Sequence, residues 1–375
     1  MSQRRVIFNL LVFCIVAVMS HPCDSRAAEF ELVDKWSRVI HPAVVYTHYK
    51  YKIDGEPLHI YLLSVSLDND GIEVRPMLAD NRLDSLETVK SMAERTGALA
   101  AVNGSFFNSS ASNPFPVGFI MINGRTIYFS HHTRSAFGLT REKVPIFGYP
   151  HTRGIIYIEK SGEYFFLDGM NVKRGENDVL VYTPEYSLTS GTGDDGREVV
   201  VAGDRVVKLG RGNSEIPANG FVVSMHGENR KFYDWFSPGD YVRLYFVVEP
   251  SWLKVYNAIT GGPMLLRGGR PVTEKSKSEG LRQGLKKRIP LTAVGNTLDG
   301  RLLLAVADGR QKNYSVGLTY GEFADFMKSV GAINAIGMDG GGSSTMVIKN
   351  EVKNKPSDGR PRRVANGIGV FTGDW

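Results

Sequence analysis

Thiol chemistry has almost nothing to work with in this chain: its 375 residues include two cysteines, Cys14 and Cys23. Both fall within the first 27 residues, so the remainder can form no disulfide, cysteine zinc site or thiol nucleophile. Long apolar runs are also missing. The stretch from Val6 to Met19 is interrupted by Asn9, and a comfortable membrane span needs roughly 20 residues. His131 and His132 stand as a pair, but no third histidine follows at zinc spacing and there is no HExxH. The absence of a Walker loop and of a nucleophile elbow removes ATPase and α/β-hydrolase readings. Charge is only mildly one-sided, at +6 overall. It is too diffuse for a nucleic-acid partner.

The N-terminus reads as an export signal. Arg4 and Arg5 precede the apolar stretch, and Ser25-Arg26-Ala27 supplies small residues at a cleavage site. Cleavage would leave residues 28–375 as one secreted or periplasmic domain with no stable membrane span. It would also remove Arg4, Arg5, Arg26 and Asp24, so the charge falls by two, from +6 to about +4. That mild excess suits an anionic substrate.

Glycine is plentiful, at 41 residues, and much of it sits in doublets and triplets. From Ala43 to Ile72, alternation around Asp54-Gly55 and Asn69-Asp70-Gly71 predicts antiparallel strands. Asp84 or Ser85 can then cap a helix with Leu86, Val89, Met92 and Ala93 on its apolar face and Gly97 at its end. A second helix is predicted after Thr319, where Glu322 completes a capping box and Gly331 ends the run. Each helix is followed by a short buried strand, one ending at Asn103-Gly104 and the other at Asp339-Gly340. A third strand, Arg301 to Ala307, ends at Asp308-Gly309.

Three strands thus deliver a polar residue and a glycine to their C-terminal ends. If they are parallel neighbours, Asn103, Asp308 and Asp339 converge in the groove beyond the sheet. The expected fold class is α+β (mixed α/β): a central mixed sheet with helices, and a β-rich insertion at about 140–255.

The run Asp339-Gly340-Gly341-Gly342-Ser343-Ser344 is the most informative feature. Three successive glycines are costly for a mere turn and suit close approach of backbone N–H groups to a ligand. Asp339 can serve there as base, nucleophile or metal ligand, and Ser343 or Ser344 can touch an oxyanion. A flexible loop with a capping Asp is the bland alternative. Asp308-Gly309 and Asn103-Gly104 are ordinary turn dipeptides taken alone. Phe106 and Phe107 can either anchor their loop or form a wall for a sugar ring. Gly261-Gly262-Pro263 has the same exposed-backbone character.

Together these motifs resemble the phosphodiester glycosidase family. The matching passages are AVNGSFF (Ala101–Phe107), GGPMLL (Gly261–Leu266), TAVG (Thr292–Gly295), ADGRQ (Ala307–Gln311), MDGGGSST (Met338–Thr345) and RVANGIGVF (Arg363–Phe371). The resemblance runs from about Ala43 to Phe371 and is strongest after Tyr256. It implies hydrolysis of a glycosidic bond to a phosphodiester, with a glycan or sugar-phosphodiester as substrate. Asp339 is then base or nucleophile and Asp308 its partner. Arg310, Arg363 and the N–H groups of Gly341, Gly342 and Ser343 would hold the phosphate. Asn103, Gly104, Phe107, Gly262, Thr292 and Ser344 would line the substrate. A divalent cation, calcium by its oxygen preference, would suit Asp308 and Asp339. Where the family usually carries Arg before Thr-Ala-hydrophobic-Gly, this chain has Leu291, with Arg288 three residues upstream. That departure keeps two alternatives open: hydrolysis of a phosphate-free glycan, and a non-catalytic exopolysaccharide-binding or assembly role.

Overall fold

The computed structural model describes residues 28–108, 114–130, 134–274, 278–281, 284 and 286–373. The export-signal reading and His131-His132 lie outside them. Strands dominate the described residues, and their only α-helices are Val89–Thr96 and Tyr320–Ser329. The fold is therefore mainly β, which corrects the expected α+β class with its central mixed sheet.

The principal sheet has eight strands in the order Phe30–His41, Val44–Ile53, Glu56–Ser66, Arg301–Ala307, Leu291–Thr297, Ala332–Gly337, Met264–Arg267 and Arg270–Pro271. Every pairing in it is antiparallel. A five-stranded sheet faces it, ordered Glu351–Val352, Met346–Ile348, Ala100–Asn103, Asn366–Thr372 and Ile72–Leu78. Side chains of both sheets, among them Val65, Leu304, Ile336, Val102 and Ile368, fill one core between them. Each outer face is covered by a helix. Phe323 and Met327 of Tyr320–Ser329 pack on the principal sheet, and Val89 and Met92 of Val89–Thr96 pack on the five-stranded one.

The helix signals are local and mostly hold. Thr319 and Glu322 form the capping box, and Gly97 closes the first helix in the left-handed conformation. That first helix starts later than its pattern suggests, because Thr88 caps it. Glu87 and Thr88 are drawn into a short pairing with Val364 and Arg363.

The three polar strand ends do not belong to parallel neighbours. Arg301–Ala307 and Ala332–Gly337 flank Leu291–Thr297, which runs antiparallel to both. Ala100–Asn103 lies in the opposite sheet. Two antiparallel steps restore direction, so Asp308 and Asp339 still leave the principal sheet at the same end. Buried strands in this chain read as short continuous apolar runs because both faces of each sheet are covered, and such runs look alike in parallel and antiparallel sheets.

All ten strands of a further sheet lie between residues 119 and 260, packed on a three-stranded one, Tyr164–Leu167, Arg153–Ile158 and Val242–Val247. Ile120, Phe137 and Ile259 of the larger sheet also enter the core between the two main sheets. Gly261-Gly262-Pro263 is where the chain leaves Val255–Thr260 of this unit for Met264–Arg267 of the principal sheet. No helix among the described residues is long and apolar enough to cross a membrane.

Phe323 is fully buried, and its helix meets the sheet almost wholly through aromatic and methionine side chains. Phe323→Ala is expected to destabilise the fold by about 3–5 kcal/mol. A fall in the urea midpoint measures it.

Candidate active site

Asn103 joins the two main sheets. It is fully buried, its amide nitrogen donates to the Asp339 carbonyl at 2.7 Å, and its oxygen accepts from Thr292 Oγ1 at 2.8 Å and Thr345 N at 3.1 Å. The Asp339 N–H donates to the Gly104 carbonyl at 3.0 Å. Asn103, Gly104 and Thr292, expected to line the substrate, therefore hold the backbone of the Asp339 turn from behind. Asn366 completes the bracket by accepting from Ser105 N at 2.7 Å and donating to Ser105 Oγ at 2.7 Å.

Asp339 is half-buried as a residue, and its carboxyl sits deep in the molecule. Burial raises its pKa to about 6, against opposing effects of the nearby Ser343 hydroxyl, the Gly340 N–H at 2.9 Å, Arg362 and Arg134. A carboxylate with a raised pKa beside arginines is a common mark of a functional site. Arg134 lies over the Phe106 ring at 4.8 Å. One of its guanidinium nitrogens is buried with no hydrogen-bond partner among the described residues. The hydroxyls of Ser344 and Thr345 are likewise buried and unpartnered there, while that of Ser343 is turned to the Asp339 carboxyl. Each such group costs about 1–3 kcal/mol if nothing meets it, which points to a polar ligand at this turn.

The glycines of the turn make room for arginines. Gly341 has φ +62°, and a Cβ there would lie 3.1 Å from the Arg310 guanidinium. A Cβ on Gly342 would fall 2.2 Å from the Asp358 carboxylate and 2.3 Å from Arg362. Arg310 is exposed and forms no salt bridge among the described residues. Two of the N–H groups expected to cradle phosphate are already used: Gly341 donates to the Pro290 carbonyl at 2.8 Å and Ser343 to Gly340 at 3.3 Å. Beside the turn, a cleft of 680 Å³ is lined by Phe107, Arg360, Arg362 and Arg363. Arg362 pairs with Asp358 at 2.7 Å, while Arg363 donates to the Leu86 carbonyl at 2.8 Å.

Asp308 stands apart from this group. It follows Ala307, which packs beneath the Tyr320–Ser329 helix, so its side chain turns to the opposite face of the sheet. Its two oxygens accept from Asn354 Nδ2 and Lys355 N, each at 2.8 Å, and Tyr61 and Tyr314 add their hydroxyls. Only 1% of it is exposed, and burial raises its pKa to about 6. The donors around Asp308 and the cations around Asp339 do not fit a calcium ion shared by the two. No cluster of three or more His, Cys, Asp or Glu gathers among the described residues.

Several participants are not site candidates on the sequence, where Arg362 shows only as part of the basic cluster Arg360, Arg362 and Arg363 that reads as a solvated face. Arg134 and Arg362 reach Asp339 from distant segments, and Tyr320 and Glu279 lie close enough for their charges to act on Arg134. Glu279 is a buried carboxylate with four donors: Ser135 N and Oγ at 3.0 and 2.8 Å, Tyr149 Oη and Met264 N at 3.0 Å. It pins residues 278–281 against Gly262, which places Gly262 in the framework of the site. Leu291 is buried under the helix. Arg288 is committed to Glu322 at 2.6 Å and also to Asp54, so it does not replace the missing arginine.

Residues 195–371 match the phosphodiester glycosidase family model. N-acetylglucosamine-1-phosphodiester alpha-N-acetylglucosaminidase of Mus musculus is 42% identical over 67 residues, 18% of this chain and 13% of that enzyme. The Homo sapiens counterpart is 39% identical over 67 residues, again 18% of this chain and 13% of the relative. The chain thus aligns with only a small part of these relatives' length. Among solved structures, a hypothetical protein from Synechocystis superposes with TM-score 0.78 at 19% identity, covering 92% of this chain and 68% of that one. A putative exported protein from Burkholderia pseudomallei gives 0.75 at 17%, covering 92% and 97%. The catalytic domain of the zebrafish N-acetylglucosamine-1-phosphodiester alpha-N-acetylglucosaminidase gives 0.51 at 15%, covering 91% and 88%. At these identities the superpositions speak to the fold.

Asn103→Ala is expected to cost about 1–3 kcal/mol for each group it strands. Thr292→Val leaves the Asn103 oxygen its bond from Thr345 and is expected to cost less. Chemical denaturation of the two variants side by side measures the difference.

Proposed function

We propose that this chain, whose residues 195–371 match the phosphodiester glycosidase family model, is an exported hydrolase of a sugar-1-phosphodiester. The observation that carries the reading is a half-buried carboxylate of raised pKa, Asp339, set among Arg134, Arg310 and Arg362. A glycosidase acting on an ordinary glycoside needs a second carboxylic acid to protonate the departing alkoxide. Asp308, the expected partner, is closed off on the other side of the sheet, Glu279 is saturated by donors, and Asp358 beside the turn is a carboxylate engaged in an ion pair with Arg362 at 2.7 Å. A departing phosphate monoester needs little protonation. It needs positive charge on its oxygens, which arginine forks supply.

In the mechanism we propose, Asp339 acts as general base. It takes a proton from a water molecule whose oxygen bonds to the anomeric carbon. The bond from that carbon to the phosphate oxygen breaks, and its electron pair leaves with the phosphate. The products are a free sugar and a phosphate monoester, and the proton on Asp339 returns to solvent. Arg310 and Arg362 hold the phosphate, Arg134 stabilises the ionised carboxyl, and the hydroxyl of Ser344 contacts a substrate oxygen. Phe107 walls the adjoining cleft. Leu291 is compatible with this scheme because arginines from elsewhere in the chain surround the turn.

Asp339 must be ionised to act, so kcat/KM is expected to fall as pH drops through about 6. Its raised pKa also means that ionisation costs stability. That cost is absent below the ordinary carboxylate range, grows as pH rises from that range to about 6, and is complete above it. Asp339→Asn is therefore expected to abolish release of sugar from N-acetylglucosamine-α-1-phosphate methyl ester while raising the melting temperature above neutrality. Retained turnover in that variant would refute the assignment. Arg310→Ala is expected to raise KM about tenfold or more, the worth of a charge-assisted hydrogen bond. Chelation with EDTA is expected to leave the rate unchanged. Turnover of neutral glycans but of no phosphodiester would favour the phosphate-free alternative.

A further inference from the structure

A second cleft, of 400 Å³, opens on another part of the principal sheet, between its edge and the hairpin formed by Met346–Ile348 and Glu351–Val352. Trp36 and Arg38 of the edge strand line it together with Tyr46, His48, Tyr61 and Lys349. Trp36 and Arg38 are two residues apart and so share one face of their strand.

Trp36 is 44% exposed, an awkward residue to leave on an edge strand. Its ring is nonetheless held. It meets Tyr46 edge-on at 5.3 Å and 78°, and His48 at 5.7 Å and 89°. His48 in turn stacks on Tyr61 at 4.5 Å and 7°. The indole is therefore an oriented apolar plate on a buried aromatic base. The charges around it are unequal. Arg38 and Lys349 form no salt bridge among the described residues, while Glu351, which also lines the cleft, is paired with Lys353 and acts on Arg38 from further off. Burial and the neighbouring His59 bring the His48 pKa down to about 4, so the imidazole adds no charge near neutrality.

We propose that this cleft is a carbohydrate-binding site for one acidic sugar residue, a hexuronate, of a larger glycan. The pyranose face lies on the Trp36 indole and the carboxylate sits between Arg38 and Lys349. An oriented aromatic face beside three cations, Arg38, Lys349 and Lys353, against one carboxylate, Glu351, matches a ring that is apolar on one face and anionic at its rim. The volume is at the small end of ligand pockets, which span about 300–1,000 Å³, and suits one or two sugar rings. The site shares no residue with the Asp339 turn, so it would hold a polymer independently of the reaction there.

The test is titration of the full chain with trigalacturonate and with neutral galactotriose, followed by tryptophan fluorescence and calorimetry. Trigalacturonate is expected to shift the emission and to bind at least about tenfold more tightly than the neutral trimer, as loss of a charge-assisted contact implies. Trp36→Phe should remove the spectral shift. Arg38→Gln with Lys349→Gln should weaken binding about tenfold or more and leave turnover of the small phosphodiester unchanged, since these exposed residues lie outside the reacting site. Equal binding of both trimers, unaltered binding in the double variant, or no binding would overturn the proposal. So would sedimentation showing a dimer that buries Trp36, which would make the edge strand an interface between copies of the chain.

Discussion

Everything at the candidate active site depends on the side chain of Asn103. Its one carboxamide bonds to the Asp339 carbonyl, the Thr292 hydroxyl and the Thr345 N–H. Those partners come from both main sheets and from either end of the glycine-rich turn. In a dry core an amide must have its bonds satisfied, so these partners are constrained to one geometry. The turn can then present Asp339 outward without collapsing, although three glycines leave it little rigidity of its own. The same logic explains why an asparagine with the look of a substrate contact is spent on architecture.

Asp308 and Asp339 make an instructive pair. Both follow buried strands, both precede glycine, and both are pushed by burial to a pKa of about 6. They differ in what surrounds them. Asp308 is enclosed by an amide, a backbone N–H and two phenols, so it fastens Asn354 and Lys355 to the end of its strand. Asp339 faces arginines and is half-buried as a residue. A similar shift thus has opposite meanings, and access together with the sign of neighbouring charge separates an anchor from a reactive group. The orphaned hydroxyls of Ser344 and Thr345 fall on the Asp339 turn, where a ligand can satisfy them.

Much of the local structure was legible in the chain. The Thr319–Glu322 capping box, the Gly97 stop, the hairpin around Asp54-Gly55 and the strand ending at Asp308 all rest on interactions between residues close in sequence. The fold class was misread because helix, glycine and buried strand occur in succession in both parallel and antiparallel architectures. Strand direction is settled by partners far apart in the chain. Arg134 and Arg362 were missed for a related reason: neither stands in a motif, and each acquires a role only by folding against residue 339.

Sequence alone therefore determined where turns and helix ends fall, the resemblance to the phosphodiester glycosidases, and the glycine-rich backbone of the stretch from Asp339 to Ser344. Those features are written in neighbouring residues, whose spacing and backbone preferences do not depend on the rest of the chain. Tertiary structure decided which carboxylate is reachable, which arginines face it, and that Asn103 braces the site from behind. Solvent access and electrostatic surroundings are sums over groups brought together from the whole chain. Two Asp-Gly pairs can read alike in sequence and be sealed or exposed only once the sheets have closed.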